Sequence, residues 1–470
     1  MKNRIRSLSL IGFGVLFGLL VSLNFSVFAD KNADPKNLPI EDLRIFAEVF
    51  GKIKADYVED VDDKKLLTEA LNGMLGGLDP HSTFLDQDHF KEMQQGTAGE
   101  FGGLGIEVGM EDGFVKVISP IEDTPAFKAG LKSGDLIIKL DDKSVKGMSL
   151  NDAVKIMRGK PGSSIDVQVL RKEQGAAPFT VKITRAQIKS QSVKSKLIEE
   201  NYGYLRVTQF QERTGEDVAK SINKLFEENK KPLDGLILDL RNNPGGLLNA
   251  AVAVSAAFIP EGELVVYTEG RAKDSKMHLT AIPENFVRDP KKNYIKKLPA
   301  DIQNTPLVVL VNNGSASASE IVAGALQDHK RALIVGTKSF GKGSVQSILP
   351  MNNGTAIKLT TARYFTPKGR SIQAKGIDPD IIVEDGLSGL MSREADLTNR
   401  LSNPEEQKVT PENSKDAEDK DAAAKPAAKT DDGAEALKNF KPVEFGTADD
   451  NQFTEALNIL KGVEKFKKIN

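Results

Sequence analysis

A short serine-rich segment, Gly314–Glu320, is where the residue types most clearly suggest catalysis. It lies between an apolar predicted strand and a predicted helix, so its hydroxyls lie at a helix N-terminus, where unpaired backbone N–H groups can stabilise negative charge. Ser317 also precedes Glu320 by three residues, the spacing of a capping box, and on this segment alone a structural role is the simpler explanation. Ser315, Ser317 and Ser319 all remain candidate nucleophiles.

A serine nucleophile needs a base, and the histidines of this chain are poorly placed for that role. Cysteine is absent, so the nucleophile must be an oxygen or an amine. His81 and His89 lie in an N-terminal helical region, and His278 lies in a polar insertion. His329 follows the helix that begins near Ser317, and about twelve residues of helix separate it from that hydroxyl by ~18 Å. A Ser-His-Asp triad therefore lacks a convincing histidine.

Lysine is the better base. Lys342 follows the next apolar strand, and a parallel neighbouring strand would bring its loop to the same carboxyl edge of the sheet as the serines. Desolvation lowers the pKa of a lysine, which makes its amine a usable base. Most lysines are solvated surface charges, however, and Lys338 lies in the same loop. Local chemistry does not choose between the two lysines.

A glycine-rich stretch, Gly102–Val108, suggests a second kind of site. Its glycines can turn successive backbone amides toward an anion, and it continues into a strand, which fits capture of a peptide C-terminal carboxylate by β-augmentation. The stretch resembles the carboxylate-binding loop of PDZ domains. The residues that we expect to bind the carboxylate are Gly103, Leu104, Gly105 and Ile106.

The segments that follow appear in the order that a PDZ domain requires. They are Pro125–Leu131, Gly134–Ile137 and a helix with Ala153, Val154 and Met157, which would form the groove wall. Arg158 ends that helix. It either reaches the captured carboxylate or a neighbouring domain, or it interacts with the helix dipole as a C-terminal cation.

Hydrophobic periodicity predicts the elements that position these residues. Fully apolar strands alternate with helices around the serine and lysine segments, which indicates βαβ units covered on both faces. Residues 402–436 have almost no large apolar side chains and are predicted to be a disordered linker. The predicted fold class is a multidomain α/β protein. Its folded units are a helical N-terminal unit (38–97), a β-rich PDZ-like domain (98–188), a βαβ core (189–385) and a C-terminal helical segment (437–470) with its helix at Phe453–Leu460. In the N-terminal unit, periodicity predicts two helices, and Gly76-Gly77 is expected to stop the second.

Residues 1–29 have the pattern of a signal peptide. Basic residues precede an apolar run from Leu8 to Leu23, and Val27 and Ala29 are small residues at the positions that a signal peptidase inspects. We predict cleavage after Ala29. The alternative is an uncleaved anchor in the inner membrane, because about 20 apolar residues just span a bilayer. Either way the folded part is predicted to be exported to the periplasm or another extracytoplasmic space.

Composition excludes other classes of protein. The chain of 470 residues is 39% hydrophobic and 28% charged, as expected of a soluble globular protein. Its formal net charge of -2 gives no electrostatic case for a nucleic-acid partner. The absence of tryptophan also weakens any base-stacking surface.

The serine, lysine and PDZ-like segments together resemble the carboxyl-terminal processing proteases, which include the tail-specific proteases. The resemblance covers most of residues 38–385. It implies that Ser317 is the nucleophile, Lys342 its general base and Gln346 the residue that orients the lysine. Lys342 follows Ser317 by 25 positions and Gln346 follows Lys342 by 4, as in the family pattern. A core of the ClpP/crotonase-like type, with no metal and no cofactor, is also implied.

The segment Asp239–Gly246 also matches a segment of that family. A glycine turn after a buried strand can present a backbone N–H, which with that of Ala318 would make an oxyanion hole. Gly246 is the expected donor and Gly245 the alternative. The same turn would also serve as an asparagine-capped entry to the next helix.

The resemblance implies an endopeptidase whose PDZ domain binds free apolar C-terminal tails of protein substrates. It also implies homo-oligomers formed through the N-terminal unit and the C-terminal helix, and an adaptor protein is a further partner to consider. Two alternatives remain. A trypsin-like PDZ protease of the heat-shock type carries Gly-Asn-Ser-Gly-Gly, where this chain has Pro244 in place of the serine. A non-catalytic scaffold would use the same domains only for binding.

Overall fold

The computed structural model describes residues 39–171, 177–199, 201–386, 391–405 and 443–469. The predicted signal peptide and residues 406–436 of the predicted linker lie outside the described residues. The chain divides into two compact units, residues 1–67 and 68–470. Within the described ranges, no helix combines the length and the apolar character needed to cross a membrane.

The first unit contains helix α1 (Ile40–Asp56). Its first turn carries Glu41 and Asp42, which favour the helix N-terminus because they complement the helix dipole. None of its side chains is buried. Helix α2 (Asp63–Gly76) follows and ends at the predicted glycine stop. The two helices predicted from periodicity are therefore confirmed.

The described residues between 83 and 189 form mostly antiparallel structure. The elements in chain order are β1 (Thr83–Leu85), α3 (Gln87–Ala98), β2 (Glu100–Gly103), β3 (Ile106–Glu111), β4 (Phe114–Pro120), α4 (Pro125–Lys128), β5 (Leu136–Leu140), β6 (Lys143–Ser144), α5 (Leu150–Met157), β7 (Ser164–Leu170), β8 (Phe179–Thr184) and β9 (Ala186–Lys189). One sheet has the order β3-β4-β5-β7-β8, with β6 paired to β5, and β2 pairs separately with β9. Alternating side chains of this sheet pack with α5 in a separate hydrophobic core.

From residue 193 onward, strands alternate with helices. The elements are β10 (Val193–Ile198), β11 (Tyr202–Val207), α6 (Thr214–Asn229), β12 (Gly235–Asp239), α7 (Leu248–Ala256), β13 (Leu264–Gly270), β14 (Met277–Thr280), β15 (Leu307–Val311), α8 (Ala318–Asp328), β16 (Leu333–Gly336), β17 (Ser344–Pro350), β18 (Ala356–Phe365), β19 (Ile381–Ile382) and α9 (Asn451–Ile469). Short 3-10 turns occupy Lys273–Ser275, Pro283–Asn285, Pro290–Lys292, Ile295–Lys297, Ala300–Gln303 and Glu394–Asp396.

The central sheet has the order β10-β11-β12-β15-β16-β19, and it is parallel except at the β10–β11 pair. Both faces are buried, which explains why β15 is apolar throughout and why β12 is apolar up to Asp239 at its end. Side chains of one face, such as Leu238 and Val309, pack with α6, α7 and α8. Those of the other face, such as Ile237 and Leu310, pack with α9. The predicted βαβ arrangement is confirmed.

A second sheet is formed mainly by other strands from the same part of the chain. It has the order β1-β18-β13-β14, with β17 also paired to β18. Strand β1 comes from the region before the PDZ-like domain and places Thr83 opposite Lys358. The loop that precedes β1 therefore lies beside the strands that follow Lys342.

The predicted fold class is confirmed, whereas the C-terminal helix was predicted too short. Helix α9 extends over Asn451–Ile469 rather than Phe453–Leu460. Phe453, Leu457 and Leu460 are buried against the sheet, so the apolar stripe was recognised, but the polar residues that continue the helix gave no periodic signal. The predicted domain boundaries stay predictions.

Candidate active site

Ser317 lies at the junction between β15 and α8, and it is the N-cap residue of α8. Its backbone has φ 54° and ψ -113°, a conformation that is unfavourable for a residue with a side chain. Strained residues at a strand-to-helix turn are typical of sites that present a reactive group. The Ser317 side chain borders a cleft of about 1150 Å³.

The structure separates the three serines that the sequence left equivalent. The Ser315 hydroxyl is buried and donates to the Leu240 carbonyl at 2.8 Å. The Ser319 hydroxyl is likewise buried and donates to the Asn243 carbonyl at 2.9 Å. Both hydroxyls are engaged by the backbone of the neighbouring turn, and Ser317 alone of the three borders the cleft.

Lys342 and Lys338 also occupy different environments. Lys338 is 40% exposed and forms an ion pair with Asp378 at 2.8 Å. Lys342 borders the same cleft as Ser317. Burial, assisted by the positive charge of Lys358, lowers the pKa of Lys342 from 10.5 to about 8. Of the two lysines, Lys342 therefore has the environment that a general base requires.

Glu320 connects the serine turn to the lysine loop. Its buried carboxylate accepts the Ser317 N–H at 2.7 Å and the Lys342 N–H at 3.0 Å through Oε2. Its Oε1 accepts the Ser339 hydroxyl at 2.6 Å and the Gly341 N–H at 2.7 Å. Burial raises the pKa of Glu320 to about 7, although these hydrogen bonds act in the opposite direction. The sequence identified only a helix cap here, because the lysine loop is distant along the chain.

Gln346 lies on β17 and borders the cleft with Lys342. Its Nε2 donates to the Ser344 hydroxyl at 3.0 Å and to the Thr360 hydroxyl at 3.2 Å. The structure thus brings Ser317, Lys342 and Gln346 to the border of one cleft.

The glycine turn packs directly against the serine turn. A side chain at Gly245 would place its Cβ 2.8 Å from the Ser317 Cβ and 2.9 Å from the Ala318 nitrogen. The Gly245 N–H already donates to Asn243 Oδ1 at 2.9 Å. This hydrogen bond engages the Gly245 N–H within its own turn. Gly246 as the oxyanion donor, with Gly245 as the alternative, stays a prediction.

A buried ionic cluster fixes the strand end that leads into this turn. Arg241 is 1% exposed and contacts Asp239 at 2.7 Å and Asp450 at 2.6 Å. Burial lowers the pKa of Arg241, but the two carboxylates raise it more, so its pKa lies above the ordinary value. Phe445 lies 4.3 Å from the guanidinium. The segment before α9 is thereby held against the turn that carries Gly245 and Gly246.

Each of the four histidines contacts a partner other than Ser317. His329 ends α8, at the opposite end from Ser317, and its Nε2 lies 2.7 Å from the Leu264 carbonyl. His89 pairs with Asp86 at 2.9 Å, and His278 stacks on Tyr267. His81 Nε2 lies 2.8 Å from a buried carboxylate oxygen of Glu394.

The PDZ-like loop has the geometry of an open strand edge. Among the described strands of its sheet, β3 has only β4 as a neighbour. Gly103 ends β2, and Leu104 and Gly105 form the connection to Ile106 at the start of β3. Gly105 has φ 81° and its carbonyl accepts the Thr124 hydroxyl at 3.0 Å. Within the described part of this sheet, the edge of β3 opposite β4 therefore pairs with no other strand.

Arg158 lies at the C-terminal end of α5, as predicted. Its guanidinium lies 4.6 Å from the centre of the Phe101 ring. This cation–π contact is an interaction that neither expectation included.

Family models match three regions of the chain. A model of peptidase family S41 matches residues 201–383, a PDZ domain model matches 102–183, and a model described as the activating protease CtpB N-terminal domain matches 22–89. Fold and family models together define a serine peptidase that carries a PDZ domain.

Individual relatives give the same result. The chain is 46% identical to a carboxy-terminal-processing protease of Bartonella bacilliformis over 79% of this chain and 82% of the relative. It is 36% identical to the carboxy-terminal processing protease CtpA of Bacillus subtilis over 78% and 73%. A solved photosystem II D1 C-terminal processing protease is 29% identical over 73% and 93%, with a TM-score of 0.40. The identities to the two sequence relatives show that this chain belongs to the carboxyl-terminal processing proteases of peptidase family S41.

Proposed function

We propose that this protein is an exported endopeptidase that captures the free C-terminal tail of a protein substrate in its PDZ domain and cleaves by a Ser–Lys mechanism. Ser317 is the nucleophile, Lys342 the general base and Gln346 the residue that orients the lysine. The observation that carries this proposal is that Ser317 and Lys342 border one cleft while a single carboxylate, that of Glu320, holds the backbone N–H of both.

In the first half of the reaction, Lys342 Nζ takes the proton of the Ser317 hydroxyl as Oγ bonds to the scissile carbonyl carbon. The carbonyl electrons move to its oxygen, which the N–H groups of Ala318 and Gly246 stabilise. Collapse of this intermediate breaks the C–N bond, and the ammonium of Lys342 returns the proton to the leaving amine. The product of this half is an acyl-enzyme.

In the second half, a water molecule gives its proton to Lys342 and attacks the ester carbonyl. Collapse then breaks the bond to Ser317 Oγ, which recovers a proton from the ammonium and releases the carboxyl product. A pKa of Lys342 near 8 supports both directions of proton transfer, since acid–base catalysts work best near the ambient pH. This chemistry needs no metal or cofactor.

The PDZ-like domain supports tail recognition. We propose that a substrate tail adds to the open edge of β3 and that α5 forms the opposite wall of the groove. The connection of Gly103, Leu104, Gly105 and Ile106 would bind the terminal carboxylate. Ile106 and Val108 of β3, with Val154 of α5, are partly buried apolar residues that fit an apolar tail.

The test is digestion of a tagged model protein with an apolar C-terminus, the same protein with a charged C-terminus and the same protein amidated at its C-terminus. Wild type is expected to cleave the first fastest, whereas Ser317→Ala and Lys342→Ala are expected to cleave none. Ser315→Ala and Lys338→Ala are the matched controls and should retain activity. Equal cleavage by Ser317→Ala and wild type would refute the proposed mechanism.

The same test addresses the alternatives. A scaffold without catalysis predicts that unfolded protein substrates survive incubation with wild type. Membership of family S41 gives no support to a trypsin-like triad, and His329→Ala should therefore keep wild-type activity. Loss of activity in that variant would reinstate the histidine.

Export, assembly and an adaptor are part of the proposal. Sequencing the N-terminus of the purified native protein should begin at Asp30 if the signal is cleaved after Ala29. Light scattering tests for a homo-oligomer. Apolar side chains that are exposed on α1 and near the end of α9 support such an assembly, among them Ile40, Phe46, Phe466 and Ile469. Co-purification from the periplasmic fraction tests for an adaptor.

A further inference from the structure

The loop before β1 contains a buried carboxylate, Asp79, which contacts the strand next to Gln346. Asp79 is 3% exposed, and its Oδ1 accepts the His81 N–H at 2.9 Å and the Ser82 N–H at 3.0 Å. Its Oδ2 accepts the Ser82 hydroxyl at 2.7 Å. The Thr360 hydroxyl donates to Asp79 Oδ1 at 3.0 Å. Asp79 therefore binds both its own loop and β18.

Thr360 connects this carboxylate to Gln346. The two residues are cross-strand partners on β18 and β17, and the Thr360 hydroxyl oxygen accepts Gln346 Nε2 at 3.2 Å. The Thr360 N–H in turn donates to the Ser82 hydroxyl at 3.1 Å. A chain of hydrogen bonds thus runs from Asp79 through Thr360 to the carboxamide of Gln346.

The chemistry of the Asp79 carboxylate, the Thr360 hydroxyl and the Gln346 carboxamide determines which group donates and which accepts in these hydrogen bonds. Burial would raise the pKa of Asp79, but hydrogen bonds from Ser82, His81 and Thr360 hold it below its ordinary value of 3.8. An ionised carboxylate can only accept, so the single hydroxyl proton of Thr360 must be donated to Asp79. The Thr360 oxygen is then an acceptor, which requires the NH₂ group of Gln346 on that side.

We infer that Asp79, acting through Thr360, is a positioning residue that keeps the carboxamide oxygen of Gln346 available to the amine of Lys342. This inference rests on the proposed Ser–Lys mechanism and adds two residues to it. Lys342 has N–H groups that need an acceptor while its lone pair faces Ser317. If the Gln346 carboxamide were rotated by 180°, its NH₂ group would face the amine of Lys342, and two hydrogen-bond donors would oppose each other.

The inference requires that the Thr360 hydroxyl act on catalysis and not only on folding. Thr360→Val is the decisive variant, because it keeps the side-chain shape and leaves the contacts of Asp79 with its own loop in place. Thr360→Ser restores a hydroxyl. Thr361→Val is the matched control, since its hydroxyl lies on the same strand and contacts only Ser347, at 2.7 Å, among the hydrogen bonds described here.

We expect Thr360→Val to lower kcat/KM roughly 10- to 100-fold, mainly through kcat, which is part of the 10²–10⁴ that a positioned base contributes. Thr360→Ser and Thr361→Val should stay within about threefold of wild type. The alkaline-rising limb of the pH–rate profile should move to lower pH in Thr360→Val, because the ammonium of Lys342 loses an acceptor that favours its charged form. Loss of a purely structural contact would not move that limb.

Coupling to Gln346 is tested by a double-mutant cycle. In the Gln346→Ala background, Thr360→Val and Asp79→Asn should cause little further loss, since the group they orient is gone. Wild-type kinetics of Thr360→Val, or an equal loss in both backgrounds, would overturn the inference. If Ser317→Ala and Lys342→Ala are inactive while Thr360→Val is fully active, only this inference fails. Activity in Ser317→Ala or Lys342→Ala would instead refute the proposed function.

Discussion

Replacement of Lys342 by methionine should abolish activity and at the same time stabilise the fold. Methionine has a similar length but no charge, so it removes the cost of holding an ammonium in the cleft. Burial and the neighbouring charge of Lys358 lower the pKa of Lys342 from 10.5 to about 8. The protein therefore tolerates a destabilised lysine, which is expected where a side chain serves catalysis.

The magnitude follows from the pKa. Each pKa unit corresponds to 1.36 kcal/mol, so the ammonium costs about 3 kcal/mol, or about 2 kcal/mol after allowance for the partial exposure of the side chain. At pH 7 roughly one tenth of Lys342 is neutral, against less than about one thousandth for a solvated lysine. The lowered pKa of Lys342 thus supplies the neutral amine that acts as base, and it also lowers the stability of the folded protein.

The pH dependence has a definite sign. The unfolded chain binds the lysine proton up to pH 10.5, whereas the folded chain releases it near pH 8. Between these values the unfolded state holds more protons, so wild-type stability rises with pH in this window. Below pH 8 the penalty is complete. Lys342→Met should therefore be more stable than wild type at pH 7 and equal to it near pH 10.5.

Thermal unfolding at pH 7, 9 and 10.5 measures this difference. We expect the melting temperature of Lys342→Met to exceed that of wild type by about 4–8 °C at pH 7. Lys338→Met is the control, because Lys338 is partly exposed and paired with Asp378, and its stability should change by less than about 0.5 kcal/mol. In wild type, the rising limb of kcat/KM should have its midpoint near pH 8. A less stable Lys342→Met variant at pH 7, or a midpoint near 10.5, would refute the reasoning.

Three further variants probe the surroundings of this pair. Glu320→Gln leaves two buried donors without acceptors, and each unpaired donor costs about 1–3 kcal/mol. Thermal unfolding should therefore show a loss of stability of about 2–6 kcal/mol, and turnover should fall at least 100-fold. Wild-type turnover would contradict this prediction. Gly245→Ala should abolish turnover, because the new Cβ would lie 2.8 Å from the Ser317 Cβ. Gly262→Ala is the control: Gly262 has a similar positive φ but no atom within 4 Å of the added Cβ, so this variant should remain active. Equal activities of the two variants would show that the contact between position 245 and Ser317 does not matter for turnover. Lys358→Gln should move the midpoint of kcat/KM to higher pH by a few tenths to one unit, because a repelling charge is removed; an unchanged midpoint would exclude that charge as a cause.

Much of the architecture was predictable because it depends on local pattern. Leu236, Ile237 and Leu238 of β12 and all residues of β15 (Leu307–Val311) are buried on both faces of a parallel sheet. Such strands are recognisable because burial on both faces requires apolar residues at successive positions. The helices α1 and α2 were likewise recognisable from their periodicity. The C-terminal helix was underestimated, because its second half has few apolar residues.

The candidate site was only partly predictable from local chemistry. A serine at a strand-to-helix junction and a lysine after the next strand followed from the residues, and the family pattern then selected Ser317, Lys342 and Gln346. The residues that connect the serine turn to the lysine loop were not recognised from the sequence as part of the site. Glu320 looked like an ordinary helix cap, although it also binds the lysine loop.

The sequence by itself determined the fold class, the family and the spacing of the proposed catalytic residues, because each is carried by short segments. Tertiary structure decided which serine and which lysine border the cleft, since burial depends on what packs against each side chain. It also joined Asp79 to Thr360, two residues 281 positions apart. Contacts between segments so distant depend on the packing of the whole sheet, and no local pattern encodes them.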